Sequence, residues 1–328
     1  MRVVNNVTMV VLSVVLAFLM ASNAYSQQTK NDAITSFNKG VEAMQAENYE
    51  QALTDFNEAI KIAKEVGEEA DDVLINVESQ LPGLYYKMGM ALYSEKKIDP
   101  AIAKFKETIE VAEKYNSPEV AGKASNAISQ LYYFKGATSY KNNNFQEALD
   151  FFKQAIEYDP ENVKAHYMIA GTYKALDDDE SFYKAAKEAA SVAKANNDNK
   201  YYESTMKLAA DYFLLKANDA KKAEKYDNAV KYLNYGLEFE PDNATSYFLL
   251  AQIYNAQSKW DLAIESAKKA LEYEKDDPDV KAKDYYELGN ALKNKGETGA
   301  ACDAYKNAAV GQYKESSEYI MKNELKCE

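Results

Sequence analysis

Seven times along this chain a glycine or alanine in one amphipathic segment is followed by an alanine in the next, and in six cases twelve residues separate the two. The first member is Gly40, Gly89, Gly136, Ala170, Ala217, Ala251 or Gly289, and the second is Ala52, Ala101, Ala148, Ala186, Ala229, Ala263 or Ala301. Four residues further come Phe56, Phe105, Phe152, Ala190, Leu233, Ala267 and Tyr305; three beyond those stand Ala59, Thr108, Ala155, Ala193, Gly236, Ala270 and Ala308. Small residues at such offsets let two helices approach closely while the larger apolar ones fill the gaps between them. The stretch 130–162 carries the pattern best, with Tyr132, Phe145, Phe152 and Ile156 around its small residues. A helix pair this short cannot bury its own apolar faces, so it needs similar neighbours. The fourth copy is looser, because aligning Ala186 requires extra residues around Asp177-Asp178-Asp179.

The pattern resembles the tetratricopeptide repeat family over nearly all of the chain beyond its leader. Asn144-Phe145-Gln146-Glu147-Ala148, Tyr226-Asp227-Asn228-Ala229 and Trp260-Asp261-Leu262-Ala263 carry the family's turn. Pro160 and Pro241 stand at its inter-repeat proline, and Tyr85, Tyr132, Phe213, Tyr247 and Tyr285 at its first-helix aromatic. The resemblance implies an all-α, right-handed superhelix of about seven helix pairs. The units fall near 33–66, 82–115, 129–162, 163–196, 210–243, 244–277 and 282–310, within an array spanning 27–310.

Spacing between units is uneven: the third to fourth and the fifth to sixth are 34 residues apart, the first to second 49. The additional stretches 66–81 and 111–128 stay amphipathic, which predicts longer helices on both sides of a turn rather than disordered insertions. Ser117-Pro118-Glu119 is a good helix start, with a cap, a proline at the first position and an acid in the first turn.

Residues 1–26 read as a signal peptide: Arg2, an apolar core over 10–20, then Ala24-Tyr25-Ser26 before a cut at Gln27. The apolar run is short for a membrane span, which takes about 20 residues; an uncleaved anchor is the alternative. The expectation is an exported chain, periplasmic or secreted, with no stable membrane insertion after the leader is removed. At the other end, 311–328 reads as a capping helix with Tyr319, Ile320, Leu325 and Tyr313 inward. If it turns back at Gly311, Cys302 and Cys327 come level. A disulfide between them suits an exported protein, two buried free thiols being the other possibility.

The net charge is −13 and Arg2 is the only arginine. An acidic chain without the planar fork of arginine argues strongly against nucleic acid as a partner. Nothing assembles a catalytic or metal site, and no cofactor is expected. His166 stands alone as the only histidine, a packing or surface residue. The clusters Asp177-Asp178-Asp179-Glu180 and Asp276-Asp277-Pro278-Asp279 lack the spacing of a calcium loop and fall at helix starts, where acids complement the helix dipole.

Three residues before each small position stand Phe37, Tyr86, Tyr133, Tyr167, Leu214, Phe248 and Tyr286. In the family this row lines a concave groove in which partner peptides lie. Four residues after the small position come Met44, Tyr93, Tyr140, Lys174, Lys221, Asn255 and Lys293, so the groove turns from aromatic to polar along the chain. The candidate partner-binding residues are Phe37, Tyr86, Met90, Tyr93, Tyr133, Tyr140, Tyr167, Phe248, Tyr286 and Asn290. The rings also suit packing between adjacent helices, and that reading stays open. The family's carboxylate clamp is not matched: its first positions hold Phe37 and Val41. The expected function is a non-enzymatic protein- or peptide-binding scaffold. A glycan-binding repeat protein, or an envelope-assembly factor binding through its extended helix edges, are the alternatives.

Overall fold

The computed structural model describes residues 29–327; the leader over 1–26 lies outside them. Among the described residues there is no strand, and the helices come in seven pairs. They are α1 Lys30–Gln45 with α2 Tyr49–Val66, α3 Asp71–Ser94 with α4 Ile98–Lys114, α5 Pro118–Lys141 with α6 Phe145–Tyr158, and α7 Val163–Ala175 with α8 Asp179–Ala195. Then follow α9 Asn199–Lys222 with α10 Tyr226–Phe239, α11 Ala244–Ala256 with α12 Trp260–Tyr273, and α13 Pro278–Lys295 with α14 Thr298–Ala308. A last helix, α15 Lys314–Tyr319, runs on as a π-helical turn over Ile320–Leu325.

Each pair turns at a residue in the left-handed region: Glu47, Lys96, Asn143, Asp177, Glu224, Ser258 and Gly296. Every one stands seven residues after the small position of its first helix. This backbone register corrects the fourth unit. Its second-helix slot, twelve residues after Ala170, holds Phe182 rather than Ala186, and no extra residues intervene. Ala186 occupies the slot that Phe152 fills in the third unit, and Ala189, not Ala193, the slot of Ala155. The two slots have exchanged sizes, large for small, and Phe182 packs its ring at 4.7 Å from Tyr212 and 5.4 Å from Phe213.

The small residue is set by what faces it. A Cβ on Gly40 would stand 2.4 Å from the Phe56 ring, on Gly89 2.6 Å from Phe105, on Gly136 2.7 Å from Phe152 and on Gly289 3.0 Å from Tyr305. Alanine replaces glycine where the facing slot holds Ala186, Leu233 or Ala267. Within this one chain a ring faces each of these glycines and a smaller side chain each of these alanines.

The extensions are helical, as the persistence of apolar residues predicts. First helices α3, α5 and α9 have 24 residues each, against 13 in α7 and α11. Second helices α2, α4 and α8 have 18, 17 and 17, against 14 in α6. Pro82 lies inside α3, where it removes one main-chain donor. Side-chain oxygens of Asn48, Asn162, Asp178, Asp198, Asn243 and Asp277 accept from backbone N–H groups at helix starts.

The described residues form two compact bodies, one running up to 135 and taking in 154–160, the other of 136–153 with the residues from 161 on. In the first, Phe56, Val77, Leu84, Phe105 and Ile128 are wholly buried or nearly so. In the second, Phe152, Phe182, Phe213, Leu233, Ile253 and Tyr305 take that role. There the cluster at 177–180 does more than cap. Asp178 accepts from the Ser181 N–H at 3.1 Å, while Asp179 accepts from the hydroxyls of Tyr212 and Tyr232, both at 2.5 Å, and pairs with Lys216 at 3.1 Å. Burial works to raise the Asp179 pKa, but these donors outweigh it and hold the carboxyl below its ordinary value. Two adjacent pairs are thereby tied together by one carboxylate.

At the C-terminal end the chain turns at Gly311, φ +52°, and Cys302 is disulfide-bonded to Cys327 with their Cα atoms 5.8 Å apart. Ile320 is buried and Leu325 packs against the same core. Tyr319, expected inward, is 61% exposed: it lies about 100° around the helix from Ile320, so only one of the two neighbours can face the core. Tyr313 is half-buried with its ring 5.1 Å from Tyr286.

Candidate functional site

The candidate site is a cleft of about 260 Å³ in the first body, walled by α3 and the first part of α5. Tyr86, Met90 and Tyr93 come from α3, spaced so that they share one helix face. Phe105 of α4, 1% exposed, forms the floor. From α5 come Lys123, Asn126, Ala127, Gln130, Leu131 and Phe134. Three large side chains are left open to solvent here: Met90 at 41%, Tyr93 at 40% and Phe134 at 51%. Tyr86 leans on Phe105 at 5.5 Å, so it is both wall and packing. Lys123 pairs with Glu119 at 2.7 Å, one helical turn away. That partner holds its ammonium above the ordinary lysine value, with Tyr86 within electrostatic reach.

The other stripe residues fall differently. Phe37 is half-buried, stacked on Phe56 at 5.8 Å. Tyr133 meets Phe134 edge-on at 5.9 Å, Tyr140 meets Phe145 at 5.3 Å and Tyr167 meets Tyr201 at 5.3 Å. Phe248 has the Lys283 ammonium 5.6 Å above its ring. Tyr286 lies between Tyr305 at 5.7 Å and Tyr313 at 5.1 Å, and Asn290 accepts from the Tyr305 hydroxyl at 2.7 Å. Each of these side chains has a partner within the protein; the cleft gathers Tyr86, Met90 and Tyr93.

In the second body the polar end of the row is already engaged. Lys221 donates to Gln252, Gln252 donates to Glu287 at 3.3 Å, and Asn255 donates to the same carboxylate at 2.8 Å. Desolvation holds Lys221 below the ordinary lysine value, Glu287 acting against it. Lys293 pairs with Glu324 at 2.7 Å. A ligand here would have to displace partners; at the first-body cleft it would cover exposed apolar surface.

Sequence reasoning missed Phe134 and the α5 residues Lys123, Asn126 and Gln130. A signal existed. Tyr132, Tyr133 and Phe134 are consecutive, and at about 100° per residue three neighbours sweep about 200° of a helix, too wide for one buried face. Lys123 and Asn126 precede the 34-residue unit and belong to the extension, while Gln130 lies at the unit's start. His166 is buried in α7, as a packing residue would be. Among the described residues no group of three or more His, Cys, Asp or Glu could hold a metal ion, and no helix is long and apolar enough to cross a membrane.

Sequence profiles of the tetratricopeptide repeat match residues 33–66, 129–162 and 214–280. A DnaJ homolog subfamily C member 3 homolog from Dictyostelium discoideum is 22% identical over 183 residues, which is 48% of this chain and 34% of that protein; the chain thus spans about a third of its length. Among solved structures, MamA protein aligns with a TM-score of 0.32 at 19% identity over 60% of this chain and 96% of its own. YrrB, described as a TPR protein with an unusual peptide-binding site, aligns at 0.31 and 18% identity over 58% of this chain and 90% of its own. Three matched segments, set in seven helix pairs that keep one register from turn to turn, make the chain a tetratricopeptide repeat protein.

Proposed function

We propose that the chain is a non-enzymatic scaffold that binds a protein or peptide partner through the aromatic cleft of its first body, and that it works after export, in the periplasm or outside the cell. One observation carries the reading: Met90, Tyr93 and Phe134 converge, exposed, on one cleft with a polar rim. Single exposed apolar side chains need no explanation, but a contiguous apolar patch rimmed by polar residues marks an interaction surface. Repeat arrays commonly use such surfaces. Export is supported by the leader pattern over 1–26 and by the disulfide, since such bonds persist in oxidising compartments.

The test places a photo-crosslinking amino acid at Met90 or Tyr93 in the protein's native cell, with Ile75, 64% exposed on the same helix, as the control. Discrete protein adducts from 90 and 93 but not from 75 support the reading. Absence of protein adducts, with the purified chain binding an oligosaccharide alone, would replace it with glycan binding.

A further inference from the structure

The cleft joins residues of two repeat units to Lys123, Asn126 and Ala127 of the extension, and that division points to what it takes. Its volume, about 260 Å³, lies below the about 300–1,000 Å³ of sites that enclose a whole drug-sized ligand. It has room for a large side chain rather than an oligosaccharide. Along α5 the lining residues Lys123, Asn126, Ala127, Gln130 and Phe134 recur every three or four positions, so they lie on one face. Four residues of helix rise about 6 Å, close to the about 6.6 Å that separates alternate residues of an extended strand. The exposed amides of Asn126 and Gln130 can therefore meet the backbone of an extended segment at successive repeats. From Lys123 to Phe134 is about 16 Å of helix, or about five residues of extended chain.

Charge fixes the sign. Among the described residues Lys123 is the only charged one lining the cleft, on a chain of net charge −13. Its pair with Glu119 is a surface one, the two side chains 55% and 81% exposed. Such a pair is worth less than about 1 kcal/mol, so a ligand carboxylate can take the ammonium at little cost.

We infer that the α3–α5 cleft recognises an extended peptide segment with one bulky apolar side chain seated among Met90, Tyr93 and Phe134 and an acidic residue within about five positions paired to Lys123. This rests on the reading of the chain as a peptide-binding scaffold. The preference for an acidic residue then lives in the α5 extension, outside the repeat frame, and the apolar seat lies within that frame.

The test selects a display library of random twelve-residue peptides on the purified protein and measures the enriched peptides by fluorescence anisotropy. Enrichment of a bulky apolar residue with Asp or Glu within five positions is expected. Phe134→Ala should weaken binding about tenfold, the scale of an interface anchor. Lys123→Glu should weaken it similarly and turn a repeated selection toward Lys-bearing peptides. Both positions are solvent-exposed, and circular dichroism checks that the variants fold. Enriched peptides indifferent to both substitutions would overturn this inference while leaving the scaffold reading intact. No enrichment of any peptide would overturn both.

Discussion

A Cβ placed on Gly136 would stand 2.7 Å from two ring carbons of Phe152, a separation that real Cβ atoms do not reach. The glycine is there because the ring is there. Gly136→Ala adds helix propensity worth about 1 kcal/mol but forces the ring aside, at about 1–3 kcal/mol for overpacking. A net loss of stability is expected in urea unfolding. Adding Phe152→Leu should restore much of it, because Ala217 opposite Leu233 is this chain's own solution. Strict additivity of the two substitutions would contradict the coupling.

Asp284 is fully buried and neither carboxylate oxygen has a hydrogen-bond partner. Equivalent positions hold Thr35, Leu84, Leu131, Ala165, Tyr212 and Ser246. Burial pushes its pKa from 3.8 up to about 7; Lys283 and Lys281 lower it, Glu274 and Glu287 raise it, and Tyr313 lies within electrostatic reach. The folded protein then holds a proton that the unfolded chain releases. Stability should fall as pH rises from about 4 to about 7, with a slope from this group approaching about 1.4 kcal/mol per pH unit. Below that window the contribution is complete, and above it none remains. Asp284→Asn should remove the slope, read as the difference between the two proteins' unfolding free energies from pH 4 to pH 8.

The Cys302–Cys327 bond closes a separation of 25 residues, worth about 3 kcal/mol through the unfolded chain. Replacing both with serine should lower stability by that order and raise amide exchange over 314–325 before the rest of the second body. Thiol titration of unreduced, denatured wild type should find no reactive thiol.

Export predicts that protein purified from its native cell begins at Gln27. Edman or mass-spectrometric sequencing reads this directly; a chain starting at Met1 would keep the leader as an anchor.

Much of the fold was legible because packing writes itself as residue size at fixed offsets. Where the fourth unit failed, the sizes of two slots had been exchanged between Phe182 and Ala186, and a pattern keyed to alanine slid four residues. Asp177, seven residues after Ala170 in the left-handed region, carries the register that side-chain size obscured. The site was half legible. Tyr86, Met90 and Tyr93 follow from the repeat, whereas Lys123 and Asn126 sit in an extension whose placement no repeat predicts. The acids at 177–180 divided too. Asp178 caps its helix, as the spacing implies, but the tyrosines that claim Asp179 are more than 30 residues away in sequence.

The central claim is that a partner segment sits in the α3–α5 cleft, and the Met90 methyl group reports on it most directly. Titrating a selected acidic–apolar peptide into methyl-labelled protein should shift and broaden the Met90 resonance while Met206, half-buried in the second body, stays in place. Saturable binding that leaves Met90 unmoved would contradict the account.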